Sequence, residues 1–178
     1  MKDKETLALV TKAAGNDSKA FALLCERKVR EVAYLCIMEL GNIEDGQDAS
    51  QEVFLRMHKG IGDLRNPEAF NVWLNRIVMT VCNGVRRKKM KQPPVSYEEL
   101  FRDENLADTL NELPVEAVER EEERRIVEGL IRDLPEKYRS CVMMHYYQKL
   151  TYAEIAQILD ISTASVDSNL RMARRLLK

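Results

Sequence analysis

The sequence has 178 residues, 45% hydrophobic and 32% charged, which suits a soluble globular chain with room for one or two small domains. Its formal net charge is −1, so no global excess of positive charge advertises a nucleic-acid partner and any such role rests on local patches. Only 7 Gly and 5 Pro, among many Leu, Ala, Glu, Lys and Arg, point to helices.

The start, Met1-Lys2-Asp3-Lys4-Glu5, has no signal-peptide core behind it, and the longest apolar run, residues 32–38, is too short to span a bilayer. A cytoplasmic chain without membrane insertion is expected. Residues 5–40 read as two helices. Leu7, Leu9 and Val10 give the first a short apolar face, Gly15-Asn16 breaks it, and Asp17 or Ser18 can cap the second. In the second, Phe21, Leu24, Cys25, Val29, Val32, Leu35, Cys36 and Met38 recur at helical spacing, and Gly41-Asn42 stops it. A third helix over 43–59 is polar around most of its surface, with Val53, Phe54 and Met57 as its apolar residues. Residues 60–67, with two glycines and an Asn-Pro step, read as a loop. A helix over 68–89 follows, with Phe70, Trp73, Leu74, Ile77, Val78, Val81 and Val85 as its stripe, and the basic run 86–91 ends it. Pro93-Pro94 cannot continue a helix, and the chain turns acidic from Glu98 to Glu128.

Four helical segments are expected near the C-terminus. Ile126, Val127, Leu130 and Ile131 are the expected inner face of the first. Pro135 opens the second, which is expected to bury Tyr138, Cys141, Val142 and His145 or nearby residues. Thr151-Tyr152-Ala153-Glu154 fits a capping box, ahead of the apolar Ile155, Ala156, Ile158 and Leu159. Asp160-Ile161-Ser162 is a short turn, Ser162 can cap the last helix, and Val166, Leu170, Ala173 and Leu177 share one face of it.

The stretch from Thr151 onward has the parts of a helix-turn-helix. Ala156 is the small residue that lets two helices cross closely, Ile161 is the apolar residue inside the turn, and Thr163, Ser165, Ser168, Arg171 and Arg175 are the polar outward face. The competing reading is a plain helical hairpin. The basic run holds more cations than helix-end capping requires, and phosphate contact accounts for the excess. Trp73 has core spacing, with base stacking as the alternative if the helix start is exposed. Enzyme readings fail. His58 and His145 have no metal-ligand spacing, no Walker-type loop exists, and Gly60-Ile61-Gly62 lacks the third glycine of a dinucleotide fingerprint. Neither metal nor cofactor is expected. Cys25, Cys36, Cys82 and Cys141 form no CxxC pair and read as reduced, mostly buried thiols. Two function classes stay open: an initiation factor, or a free-standing helix-turn-helix regulator that binds DNA as a dimer. No heptad seam supports a dimer, so a monomer is expected. A third reading, an interaction protein without promoter activity, is motivated by the acidic Asp167 on the last helix.

Taken in order, these motifs resemble the extracytoplasmic-function group of bacterial sigma factors of the sigma-70 family, across nearly the whole chain. The stretch 48–56 is similar to that family's core-polymerase-binding helix. Residues 70–77 with the basic run look like its promoter-melting helix, and residues 134–139 and 152–156 look like its C-terminal domain. The resemblance implies an all-α protein of two small helical domains joined by a flexible acidic linker, the C-terminal one a four-helix helix-turn-helix. Residues 1–92 would be the polymerase-binding and minus-ten domain, 93–115 the linker, and 116–178 the minus-35 domain. It implies core RNA polymerase and promoter DNA as partners, with an anti-sigma factor expected, and no catalysis. Asp48, Gln51, Glu52 and Phe54 would meet the polymerase. The loop 61–67 with Asn66, Asn71, Trp73 and Arg76 would capture the minus-ten element, with Arg86, Arg87 and Lys88 on phosphates. Ser165, Asp167, Ser168, Arg171, Met172 and Arg175 would face the minus-35 element. Two departures stand out. Asp160 occupies a turn position where the family often has Gly, and Asp167, Asn169 and Met172 stand where it usually has basic residues. A carboxylate at 167 accepts from a cytosine amino group and repels phosphate.

Overall fold

The computed structural model describes residues 4–90 and 118–177, with side chains of the second stretch from residue 125 onward. The expected linker 93–115 and Lys91 of the basic run lie outside the described residues. Every described element is helical, and the chain divides into two compact units.

The first unit holds α1 (Lys4–Ala14), α2 (Ser18–Leu40), α3 (Ile43–Gly60) and α4 (Phe70–Met90). α1 buries Val10 and Ala13 and packs on α2. It ends where Asn16 takes a left-handed φ of 65°, so that the Asp17 and Asn16 amides donate back to the carbonyls of Lys12 and Ala13, both at 3.1 Å. Asp17, rather than Ser18, caps α2: its Oδ1 accepts from the amides of Lys19 and Ala20, both at 3.0 Å. α2 contributes Leu24, Val32, Leu35, Cys36 and Met38 to the core, and stops at Gly41 with φ 82°.

α3 reaches that core by a close approach. A Cβ built on Gly46 would lie 2.4 Å from Cγ1 of Ile37 and 2.7 Å from its Cα, so only hydrogen fits where α3 meets α2. Gly46, Ala49, Ser50, Val53 and Met57 form the buried stripe of α3. Two single 3-10 turns, Ile61–Asp63 and Pro67–Ala69, connect α3 to α4, and both pack on α1. The expected loop is therefore partly helical, and α4 starts at Phe70 after Pro67 has begun a 3-10 turn. α4 buries Phe70, Leu74, Val78 and Val81, together with Asn75, Met79 and Cys82, which the apolar spacing did not single out. The Cys36 and Cys82 thiols are hydrogen-bonded to each other in this core, and that bond, with burial, pushes the Cys36 thiol above its ordinary value. Cys25 is only half-buried, and its thiol is also raised by burial.

The second unit holds α5 (Val118–Arg132), α6 (Glu136–Val142), a π-helical turn (Met143–Tyr147), α7 (Tyr152–Leu159) and α8 (Thr163–Leu176). Of the expected inner face of α5, only Ile131 is half-buried. Ile126, Val127 and Leu130 are 58%, 51% and 46% exposed, and Glu128 is the residue that turns inward. Arg139 of α6 finishes α5, since its Nη1 donates to the carbonyls of Arg132 at 2.8 Å and Leu134 at 3.2 Å. α6 buries Ser140, Cys141 and Val142, and the π turn buries Met143 and Met144. Of the residues expected to be buried here, Tyr138 and His145 are half-buried and their neighbours Met143 and Met144 fill the core instead, with Nδ1 of His145 3.0 Å from the carbonyl of Leu150.

Candidate nucleic-acid interface

The ends of α7 and α8 are set by local chemistry. Thr151 closes the capping box at α7: its hydroxyl accepts from the Glu154 amide at 3.3 Å, and the Glu154 carboxylate accepts from the Thr151 amide at 2.8 Å. α7 ends at Asp160, whose φ of 55° and ψ of 48° put it in the left-handed region that the turn demands. The Ile161 amide then donates back to the Ala156 carbonyl at 3.1 Å. Ser162 starts α8 by accepting from the Ser165 amide at 3.1 Å. Ile155 and Ala156 of α7 and Val166, Leu170 and Ala173 of α8 are buried where the helices meet.

The opposite side of α8 is a ridge of Ala164, Ser168, Arg171 and Arg175, all exposed and spaced i, i+4, i+7, i+11. Asp167 flanks the ridge and binds Arg171, with its Oδ2 3.1 Å from Nη2. Met172 is half-buried on the other flank. Ser165 is exposed, but its amide and hydroxyl are both engaged with Ser162. Asn169, one of the departures from the family's basic residues, does not face outward: its side chain turns inward and Nδ2 donates to Sγ of Cys141 at 3.6 Å.

In the first unit the residues matched to a polymerase-binding helix lie on α3. Asp48 and Gln51 are exposed, while Glu52 and Phe54 are half-exposed. The Arg56 guanidinium, hydrogen-bonded at 2.7 Å, holds the Glu52 carboxyl below its ordinary value, with Lys59 and Lys88 adding to the effect. Leu55, 58% exposed, stands at the centre of this face. Its spacing to Asp48, Gln51 and Glu52 is i+7, i+4 and i+3, so all four share one side of the helix. Sequence reasoning passed over it, although the run Val53-Phe54-Leu55 carried the signal. Three consecutive apolar residues span about 200° of a helix, so one of them has to face outward.

The turns before α4 position the other candidate residues. Asn66 is exposed and caps the second 3-10 turn by accepting from the Glu68 amide at 3.0 Å. Asn71 and Arg76 are exposed on α4. Trp73 is half-buried, its ring packed over Gly60 so closely that a Cβ there would lie 3.2 Å from Cζ2. The basic run is not uniform. Arg86 is held inside the unit, where its Nη2 donates to the Glu39 carboxylate at 2.7 Å and to the Glu39 carbonyl at 2.8 Å. Glu39 is only 2% exposed. Lys89 pairs with Asp45. Arg87 and Lys88 are exposed at the helix end. Among the described residues, no group of three or more His, Cys, Asp or Glu could hold a metal ion, and no helix is long and apolar enough to cross a membrane.

A short capped helix, a left-handed turn and a longer helix with a polar outward ridge define a helix-turn-helix protein of the kind that binds DNA. Residues 124–177 match the family described as Sigma-70, region 4. The chain is 31% identical over 173 residues to the ECF RNA polymerase sigma-E factor of Escherichia coli (strain K12), covering 95% of this chain and 90% of that protein. It is 29% identical over 170 residues to the ECF RNA polymerase sigma factor SigW of Bacillus subtilis (strain 168), covering 91% and 89%. The solved structure of CnrH in complex with the cytosolic domain of CnrY shares the fold, with a TM-score of 0.67 at 20% identity over 97% of this chain and 94% of that one. The chain belongs to the ECF RNA polymerase sigma factors of the sigma-70 family, and its function is promoter-directed transcription initiation.

Proposed function

We propose that the chain docks on core RNA polymerase through the outward face of α3, opens the minus-ten element with the first unit and reads the minus-35 element with α8. The observation that carries this reading is the similarity to sigma factors over 95% of the chain, which takes in both units. Asp48, Gln51, Glu52 and Phe54 would surround Leu55, the exposed apolar anchor of the docking face. Loop 61–67, Asn71, Trp73 and Arg76 would receive bases extruded from the duplex. Stacking and a pocket there offset an unstacking cost of roughly a few kcal/mol. Arg87 and Lys88 would hold phosphates, while Arg86 would act indirectly by fixing α4 to α2. α8 would enter the major groove with Ser168, Arg171 and Arg175 foremost and Ser165, Asp167 and Met172 on the flanks.

The working form is a cytoplasmic monomer that performs no catalysis of its own. A second protein covering these surfaces, an anti-sigma factor, is the proposed regulator, and the complex of CnrH with the cytosolic domain of CnrY is a precedent on the same fold. The test is binding of the purified chain to core polymerase, followed by run-off transcription. Binding at low salt is expected, and Leu55→Asp should weaken it by about tenfold or more, on the order of 1.4 kcal/mol. A chain that fails to bind core enzyme at low salt overturns the proposal.

A further inference from the structure

We infer that Asp167 and Arg171 form one specificity-determining pair, in which Arg171 reads a guanine and Asp167 reads the exocyclic amino group of a neighbouring cytosine or adenine. The inference rests on the reading of α8 as the helix that enters the major groove. Elimination narrows the field first. Asn169 is committed to Cys141, the Ser165 amide and hydroxyl are committed to Ser162, and Nε of Arg174 donates to the Leu170 carbonyl at 3.3 Å. Of the polar residues on the outward side, Arg171 alone is joined to an acceptor-only group that faces the same way.

The pair is open to a ligand, with 66% of the Arg171 side chain and 43% of the Asp167 side chain exposed. An exposed pair one helical turn apart adds little to stability, so folding alone gives weak reason for it. Its chemistry toward DNA is distinctive. Arg171 sits beside Asp167 as an ion pair, Nη2 to Oδ2 3.1 Å, and the donors of the guanidinium fork suffice for a bidentate contact with O6 and N7 of guanine. Asp167 lies next to that fork on the same side of the helix. Its second carboxylate oxygen is an acceptor, which matches the N4 amino group of cytosine or the N6 amino group of adenine. It is repelled by the O4 of thymine and the O6 of guanine, so it selects by repulsion as well as attraction. The two side chains start about 6 Å apart along the helix and converge to 3.1 Å, so their tips address adjacent base pairs. Pairing also neutralises the charge that would make a lone carboxylate repel phosphate.

The test is run-off transcription by holoenzyme assembled from core polymerase and the full chain, on a promoter library randomised through the minus-35 element. The unaltered chain should enrich a guanine beside a base pair presenting a cytosine or adenine amino group. Asp167→Ala should keep the guanine and lose the neighbour preference by on the order of fivefold to tenfold, and Arg171→Ala should lose the guanine by on the order of tenfold or more. Arg171→Lys should not restore it, because an ammonium has no fork. Thermal melting of each variant should match the parent. If Asp167→Ala enriches the same bases as the parent, or raises transcription equally on every member, Asp167 does not read a base and the inference is overturned. If the parent initiates transcription with no preference anywhere in the minus-35 element, the reading of α8 itself fails, and that result is distinguishable from the first.

Discussion

Arg86 and Arg171 both stand on long helices whose surfaces resemble DNA-binding faces, yet their settings are opposite. Arg86, in the first unit, is tied to the buried carboxylate and the carbonyl of Glu39, and little of its side chain meets solvent. Arg171, in the second unit, has an exposed partner on its own helix, and most of its side chain is open. A cation near a candidate face can therefore belong to the protein's interior. Its number in a basic run does not tell which. The first unit uses long-range pairs and a tight helix crossing to hold its face, whereas the second uses caps that are complete within a few residues.

Breaking the buried pair is the severest test of that contrast. Arg86→Ala leaves Glu39 without its guanidinium and should destabilise the first unit by about 3 kcal/mol or more. Denaturant unfolding followed by fluorescence measures this directly, because Trp73 is the sole tryptophan and lies in that unit. Replacing both Glu39 and Arg86 by Met should recover much of the loss. Lys88→Ala, by contrast, should leave the unfolding curve unchanged and reduce the salt slope of promoter binding by about one. Equal destabilisation by both single variants would dissolve the distinction between the two cations.

The helix crossing comes next. Gly46→Ala puts a methyl group against backbone atoms of Ile37, and should cost about 2 kcal/mol by the same fluorescence measurement. In the second unit, Thr151→Ala removes the capping box and should cost about 1 kcal/mol. Amide exchange should report the loss in α7 and α8 while Trp73 fluorescence stays unchanged. The smallest effect concerns Glu52, whose carboxyl is lowered chiefly by its hydrogen bond with Arg56. A folded-state value below the unfolded one means that the contribution is present above the ordinary value of 4.5 and is lost as pH falls through the folded value. A carboxyl NMR titration should give a midpoint below 4.5, moving upward in Arg56→Ala.

The same division explains what could be read from the sequence. The capping box at Thr151, the cap at Ser162 and the short turn at Asp160 were legible because each depends on residues within one turn of itself. The buried face of α8 was legible at Val166, Leu170 and Ala173 because its apolar period has a polar complement. Misreading α5 had a physical cause. Ile126, Val127 and Leu130 have the spacing of an inner face, but spacing says only that a face is apolar, not that a neighbour covers it. The role of Arg86 was hidden because its partner lies 47 residues away. Gly46 was hidden because a glycine within a polar helix has meaning only beside Ile37. The inward turn of Asn169 was hidden because its acceptor, Cys141, lies 28 residues away. The π-helical turn at Met143–Tyr147 left no mark in the apolar period.

The inward turn of Asn169 has a consequence for how such a chain changes over generations. Val166, Leu170, Ala173 and Asn169 together fix the roll of α8 about its own axis, and none of them belongs to the ridge that faces outward. The ridge can therefore be rewritten, residue by residue, while the angle at which it is presented stays constant. Duplicated copies can acquire different outward surfaces without first surviving a loss of fold, much as type is exchanged in an unchanged frame.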